Sequence, residues 1–192
     1  MYDAATALLI VDVQNDFASP DGSLSVRGGE EILPPLNSEI AAARAGDAVV
    51  VYTQDWHPPS TPHFAKDGGV WPVHCVRDTW GAQLHPALVV DGPVVRKGVG
   101  GEDGYSAFSV RDPRGGDRRS TELDELLRSR GARRLVIGGL ATDYCVRETA
   151  LDARRLGYAT AVLTEAVRAV DLAPDDGARA LEAMREAGVD LI

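Results

Sequence analysis

Lysine is almost missing from this 192-residue chain, with Lys66 and Lys97 standing against 18 arginines. That rarity makes each lysine worth separate scrutiny. Cysteine is equally scarce, represented only by Cys75 and Cys145, which excludes a disulfide framework as the source of stability. Long apolar runs are absent too. Stretches 7–11 and 48–52 hold five residues each, whereas a membrane-spanning helix needs about 20. No basic residue precedes Arg27, so the pattern of a secretory signal is not met and the expected compartment is the reducing cytoplasm. Positive charge is in deficit, 20 Lys and Arg against 29 Asp and Glu, for a net charge of −9. Such a surface repels phosphate backbones and argues against nucleic acid as a partner.

What is present fits a globular protein: 44% hydrophobic and 26% charged residues, with length enough for a self-sufficient core. No repeat, low-complexity tract or dividing linker interrupts it, so residues 1–192 read as a single domain. Apolar runs at 7–13 (ALLIVDV), 48–53 (AVVVYT), 89–96, 134–138 (RLVIG) and 159–163 read as buried strands, with 189–192 as a short sixth. Helical spacing occupies 30–45, 120–130 with Thr121 as N-cap, a segment capped by Thr142 or Asp143 and running to Leu156, and 175–187. This alternation predicts an α/β fold of three layers, a mostly parallel sheet of five or six strands with helices on both faces. Segments 55–86 and 98–118 are long, rich in Pro and Gly, and expected to be functional loops.

In open α/β sheets the site gathers at the carboxyl ends of the strands. That rule collects Asp12 after strand one, Asp55 and His57 after strand two, Lys97 after strand three and 141–145 after strand four. Cys145 falls where a strand turns into a helix, a position that favours a thiolate and lowers a thiol pKa. A buried structural cysteine is the commoner fate of the residue type; convergence with Asp12 and Lys97 tips the balance towards chemistry. A shielded Asp12 acquires a raised pKa and can take a thiol proton, while Lys97, otherwise a solvated surface residue, can hold that carboxylate. His57, His63 and His74 lie within 18 positions of one another. With Asp55 they suit Zn²⁺, Mn²⁺ or Fe²⁺ with open positions, against the alternative of loop histidines bonding locally. His85 is read as structural. No GxGxxG follows strand one, which counts against a dinucleotide-dependent oxidoreductase.

The chain resembles the nicotinamidase (pyrazinamidase) branch of the isochorismatase-like cysteine hydrolase superfamily. The resemblance runs through ALLIVDVQNDF, QDWHPPSTPHF, WPVHC, RKG, GYSAF and GGLATDYCVRETALDA. It implies a catalytic triad of Asp12, Lys97 and Cys145, with Asp55, His57 and His74 as metal ligands. His63 aligns with a histidine that some members place on or near the metal. It further implies Phe17 and Trp71 sandwiching a pyridine ring, Tyr105 in the pocket wall, and a cis peptide at Leu140–Ala141. The oxyanion would be held by the backbone N–H groups of Ala141 and Cys145. The implied reaction is hydrolysis of nicotinamide to nicotinate and ammonia through a thioester, with pyrazinamide as a second substrate and one divalent ion as cofactor, zinc first. The partner is then a small-molecule carboxamide, and a homo-oligomer is left open. Two rivals stand beside this reading: an amidohydrolase acting on an N-carbamoyl compound, maleamate or ureidoacrylate, and a non-catalytic nicotinamide-binding protein. The 99–116 loop departs from the family pattern.

Overall fold

The structure is a computed structural model describing residues 2–192. Strand β1 (Thr6–Val11) is buried along its whole length, as a continuous apolar run demands when both faces of a sheet are covered. Its side chains alternate between two cores. Leu8 and Ile10 face one cluster with Leu36 and Ile40 of helix α2 (Leu33–Ala45). Ala7, Leu9 and Val11 face the other, with residues of α3 (Leu123–Ser129), α4 (Arg147–Arg155) and α5 (Asp176–Glu186). Each fully buried Leu or Ile contributes about 1.5–3 kcal/mol, so burial sets the register of this strand.

Beside β1, strands β2 (Val49–Asp55), β3 (Val94–Lys97), β6 (Arg134–Leu140), β7 (Ala159–Arg168) and β8 (Asp190–Leu191) complete a six-stranded parallel sheet in the order β3-β2-β1-β6-β7-β8. The chain builds outward from β1 to β3, then returns to β1's other side with β6. The strand order therefore reverses between β1 and β6, the place where α/β sheets open a crevice at their carboxyl ends.

The expected elements are present, with local differences. A short helix α1 (Asn15–Ala18) follows β1. The segment expected as one helix from residue 30 begins as a 3₁₀ turn, Gly29–Ile32, and α2 carries Pro34 and Pro35 in its first turn, where their missing N–H groups cost nothing. Strand β3 is shorter than expected because Gly92 and Pro93 delay its start. The 98–118 segment is not an irregular loop. It holds an antiparallel hairpin of β4 (Ser109–Arg111) and β5 (Arg118–Ser120). The Thr121 hydroxyl accepts from Leu123 N–H at 3.3 Å, although Glu122 occupies the N-cap position. Among the described residues no helix is long and apolar enough to cross a membrane.

Gly139 sits where the β6–β7 register shifts. Its φ is +126°, and a Cβ there would meet the Val11 carbonyl oxygen at 2.1 Å. Only glycine lets β6 approach β1 this closely at the crevice. Gly139→Ala is expected to lower unfolding free energy by at least about 1–3 kcal/mol, read from urea denaturation midpoints.

Candidate active site

Each strand that ends at the crevice delivers one ionisable group. Asp12 follows β1 with φ +49°, a left-handed conformation that aspartate tolerates better than most residues. Asp55 and Lys97 are the last residues of β2 and β3 and are register partners. Cys145 lies in a π-helical turn, Thr142–Val146, directly after β6. The Ala141 carbonyl closes that turn by accepting from the N–H groups of Tyr144 and Val146, both at 3.1 Å. The Leu140–Ala141 peptide is cis.

Lys97 is the hub. It is buried, and its Nζ lies 3.0 Å from Asp12 Oδ2 and 3.7 Å from Cys145 Sγ, while also donating to Asp55 Oδ1. Acceptor atoms of Asp12 and Asp55 and the Cys145 sulfur all lie within 4.8 Å of one another. Asp12 is oriented by Thr53, whose hydroxyl donates to Oδ1 at 2.6 Å and accepts from the Asp12 backbone N–H at 3.1 Å. Asp12 Oδ2 is buried with no aligned hydrogen-bond donor, which leaves it free to accept a proton.

Burial raises the Asp12 carboxyl above its ordinary range, and the Lys97 ammonium limits the rise. Asp55 is pulled the other way: burial opposes ionisation, but Lys97 and His57 outweigh it and hold the group well below the usual carboxylate range. Burial also disfavours the charged form of Lys97. The two carboxylates overcome it, so the ammonium persists far above neutral pH. For Cys145 the expected lowering by the helix start is not what the structure gives. Burial, reinforced by Asp12 and Asp55, lifts the thiol well above its normal value despite Lys97. The surroundings favour the protonated thiol.

Beside this group, His57, His63 and His74 are buried with one ligand nitrogen each inside a 4.8 Å cluster. Both ring nitrogens of His57 are buried without a hydrogen-bond partner. Such orphaned polar atoms, one N–H and one lone pair, are costly unless something else satisfies them. Burial holds His74 down to about 4, so its ring stays neutral and able to donate a lone pair. Asp55 Oδ2 lies 3.8 Å from His57 Nε2, so this carboxylate adjoins both the lysine and the histidines. Three imidazoles and a carboxylate are a donor set that fits a divalent transition metal. Gly98 leaves room for the His57 ring, since a Cβ there would press on it at 2.7 Å.

One cavity joins the two groups. Its wall includes Cys145, Ala141, Leu140, Asp55, His63 and His74, with Phe17, Trp71, Tyr105 and Tyr144 supplying aromatic surface. Phe17 lies 5.5 Å from the His74 ring, centroid to centroid, and Trp71 donates its indole N–H to the Tyr105 hydroxyl at 2.9 Å.

Residues 6–192 match the isochorismatase domain family. A nicotinamidase from Escherichia coli is 39% identical over 203 residues, covering 96% of this chain and 93% of that protein. The chain belongs to the isochorismatase family. A pyrazinamidase from Pyrococcus horikoshii solved in complex with zinc superposes with a TM-score of 0.87 at 38% identity, covering 98% of both chains. PnC1 from L. infantum, solved in complex with nicotinate, superposes with a TM-score of 0.90 at 39% identity, covering 100% of this chain and 94% of that one.

In this isochorismatase-family chain, every candidate drawn from the sequence lies in or beside the cavity: Asp12, Lys97 and Cys145; Asp55, His57, His63 and His74; Phe17, Trp71, Tyr105, Leu140 and Ala141. His85 lies elsewhere, with Nε2 3.3 Å from Glu30 Oε1. Thr53, Gln14 and Tyr144 were not singled out. Gln14 grips the Asp55 backbone from both sides, accepting from its N–H at 2.8 Å and donating to its carbonyl at 2.7 Å. The polar run after β1 was its only signal. The expected cap by Thr142 or Asp143 is replaced: neither side chain caps the turn. The Asp143 carboxylate instead accepts from the N–H groups of Val170 and Asp171, both at 2.9 Å, tying the Cys145 turn to the cavity wall.

Lys97→Met leaves two buried carboxylates facing each other. It is expected to cost about 3–5 kcal/mol of stability at neutral pH, as broken buried pairs do, measured by denaturant unfolding. A loss under about 1 kcal/mol would remove the lysine from its central place.

Proposed function

We propose that this protein is a nicotinamidase, hydrolysing nicotinamide to nicotinate and ammonia, with pyrazinamide as a second substrate. The observation that carries the reading is the contact group of Cys145 thiol, Asp12 carboxylate and Lys97 ammonium, whose sulfur residue enters the wall of an aromatic cavity together with His63 and His74. Phe17 and Trp71 offer flat faces for a pyridine ring. His57, His74 and Asp55, with His63 as a further ligand, would hold a divalent ion, which would supply Lewis-acid chemistry beside the ring. Zinc is the first choice of metal, manganese or iron the alternatives. Residues 1–192 act as one hydrolase domain, and a reducing cytoplasm keeps the Cys145 thiol free.

In the first half-reaction Asp12 Oδ2 takes the Cys145 proton. The Lys97 ammonium, already near the sulfur, steadies the thiolate as it forms. The sulfur attacks the carboxamide carbon, and the backbone N–H groups of Ala141 and Cys145 hold the oxyanion. Asp12 returns the proton to the departing nitrogen, releasing ammonia and leaving a thioester. In the second half Asp12 deprotonates a water that attacks the thioester carbon. The same proton then restores the thiol as the acid leaves. Dividing amide hydrolysis into two steps is the benefit of the covalent route. A raised carboxyl pKa improves Asp12 as a base for a thiol whose own pKa is raised. Acyclic amides such as ureidoacrylate or maleamate suit the same nucleophile, but they have no ring nitrogen to use the histidine cluster.

Cys145→Ala should abolish ammonia release from nicotinamide while retaining bound metal and fold. Turnover near the wild-type rate would refute the nucleophile, and faster wild-type turnover of maleamate or ureidoacrylate would refute the substrate. Metal analysis of His57→Ala should give less than stoichiometric content.

The pH profile carries a further expectation. Asp12 must be ionised to act, so activity falls as pH drops through its raised pKa, and the acid limb lies above the ordinary carboxylate range near 3.9. Thr53→Val removes a hydrogen bond that lowers this pKa, so the limb should move to higher pH. An unmoved limb would dissociate it from Asp12.

A further inference from the structure

Asp103, bridged to strand β4 of the hairpin, adds its side chain to the histidine cluster from outside. Asp103 pairs with Arg111 in an antiparallel bridge, its backbone N–H donating to the Arg111 carbonyl at 2.7 Å. The bridge fixes its backbone. Its Oδ1 accepts the Gly104 N–H at 2.7 Å and lies 2.9 Å from His63 Nδ1. His63 is buried, with its ring 5.0 Å from that of His57 and 5.3 Å from that of His74.

A carboxylate oxygen only accepts, so this contact puts the His63 proton on Nδ1 and the lone pair on Nε2. His74 is treated the same way by a different group. Its Nδ1 lies 2.7 Å from the Pro72 carbonyl, which likewise leaves Nε2 bare. Two of the three histidines are therefore fixed in the tautomer that presents Nε2 as a ligand, one by a backbone carbonyl and one by a carboxylate. Partners of this kind orient metal-bound imidazoles and raise their basicity.

The geometry points to Asp103 as a positioning residue that fixes His63 as a metal ligand through Nε2, with the hairpin as the brace that holds Asp103 in place. This rests on the metal site of the proposed function. It gives the 98–118 segment a definite task, the orientation of the His63 ring. It also separates His63 from a histidine that merely forms an ion pair near the cavity.

The test uses the full metal-free chain and zinc alone, with affinity read by competition against a chromophoric chelator. Asp103→Ala should weaken zinc binding by about 10- to 100-fold. Asp103→Asn, which keeps an acceptor oxygen for Nδ1–H, should recover most of that loss. In a His63→Ala background, Asp103→Ala should cause no further weakening. Independently of any variant, nitrogen NMR of the wild-type imidazoles should find the His63 proton on Nδ1. An Asp103→Ala affinity within about twofold of wild type, an equal loss without His63, or the opposite tautomer would each overturn the assignment. Wild-type protein that binds no zinc would sink the metal site and this inference together. Wild type that binds zinc but spares nicotinamide would sink only the proposed substrate.

Discussion

One buried ammonium holds the crevice together. Lys97 has almost no exposed surface, and an isolated charge there would be prohibitive. It is tolerated because Asp55 faces it from the adjacent strand β2 and Asp12 from the end of β1. The dependence is mutual, since two carboxylates this close could not both ionise without a cation between them. The trio thus fixes the charge states that chemistry needs: a carboxylate with a free lone pair, a permanent cation beside the sulfur, and a second carboxylate turned towards the histidines.

Asp55 is where the two halves of the site meet. One oxygen is bound to the lysine, the other faces His57, and Gln14 clamps its backbone. The Cys145 sulfur and the histidine cluster consequently adjoin one residue, Asp55. The long 55–86 segment brings His63 and His74 onto it, and the hairpin braces His63 from the far side. The sheet supplies the ionisable groups at its carboxyl edge, and the long loops supply histidines and aromatic surface of the cavity.

Much of this was legible in one dimension. Continuous apolar runs ending in Asp12, Asp55 and Lys97 identify buried parallel strands whose last residues reach the crevice, because strand ends are fixed by where the apolar pattern stops. The histidine cluster was legible from its density along the chain. Thr53 and Gln14 were not, since their partners lie 41 positions away and become neighbours only through strand pairing. Nor was the hairpin, whose arms, Ser109–Arg111 and Arg118–Ser120, carry too few apolar residues to show a strand pattern.

The thiol marks the boundary most clearly. Local logic at a helix start favours a thiolate, yet burial among carboxylates wins in the fold, because desolvation depends on everything packed around the sulfur. The sequence by itself determined the strand and helix order, the absence of a disulfide framework, and which few residues could carry chemistry. Tertiary structure decided their charge states, hydrogen-bond partners and tautomers. Those properties belong to the surrounding dielectric and to contacts between distant segments, and neither exists until the sheet has closed around them.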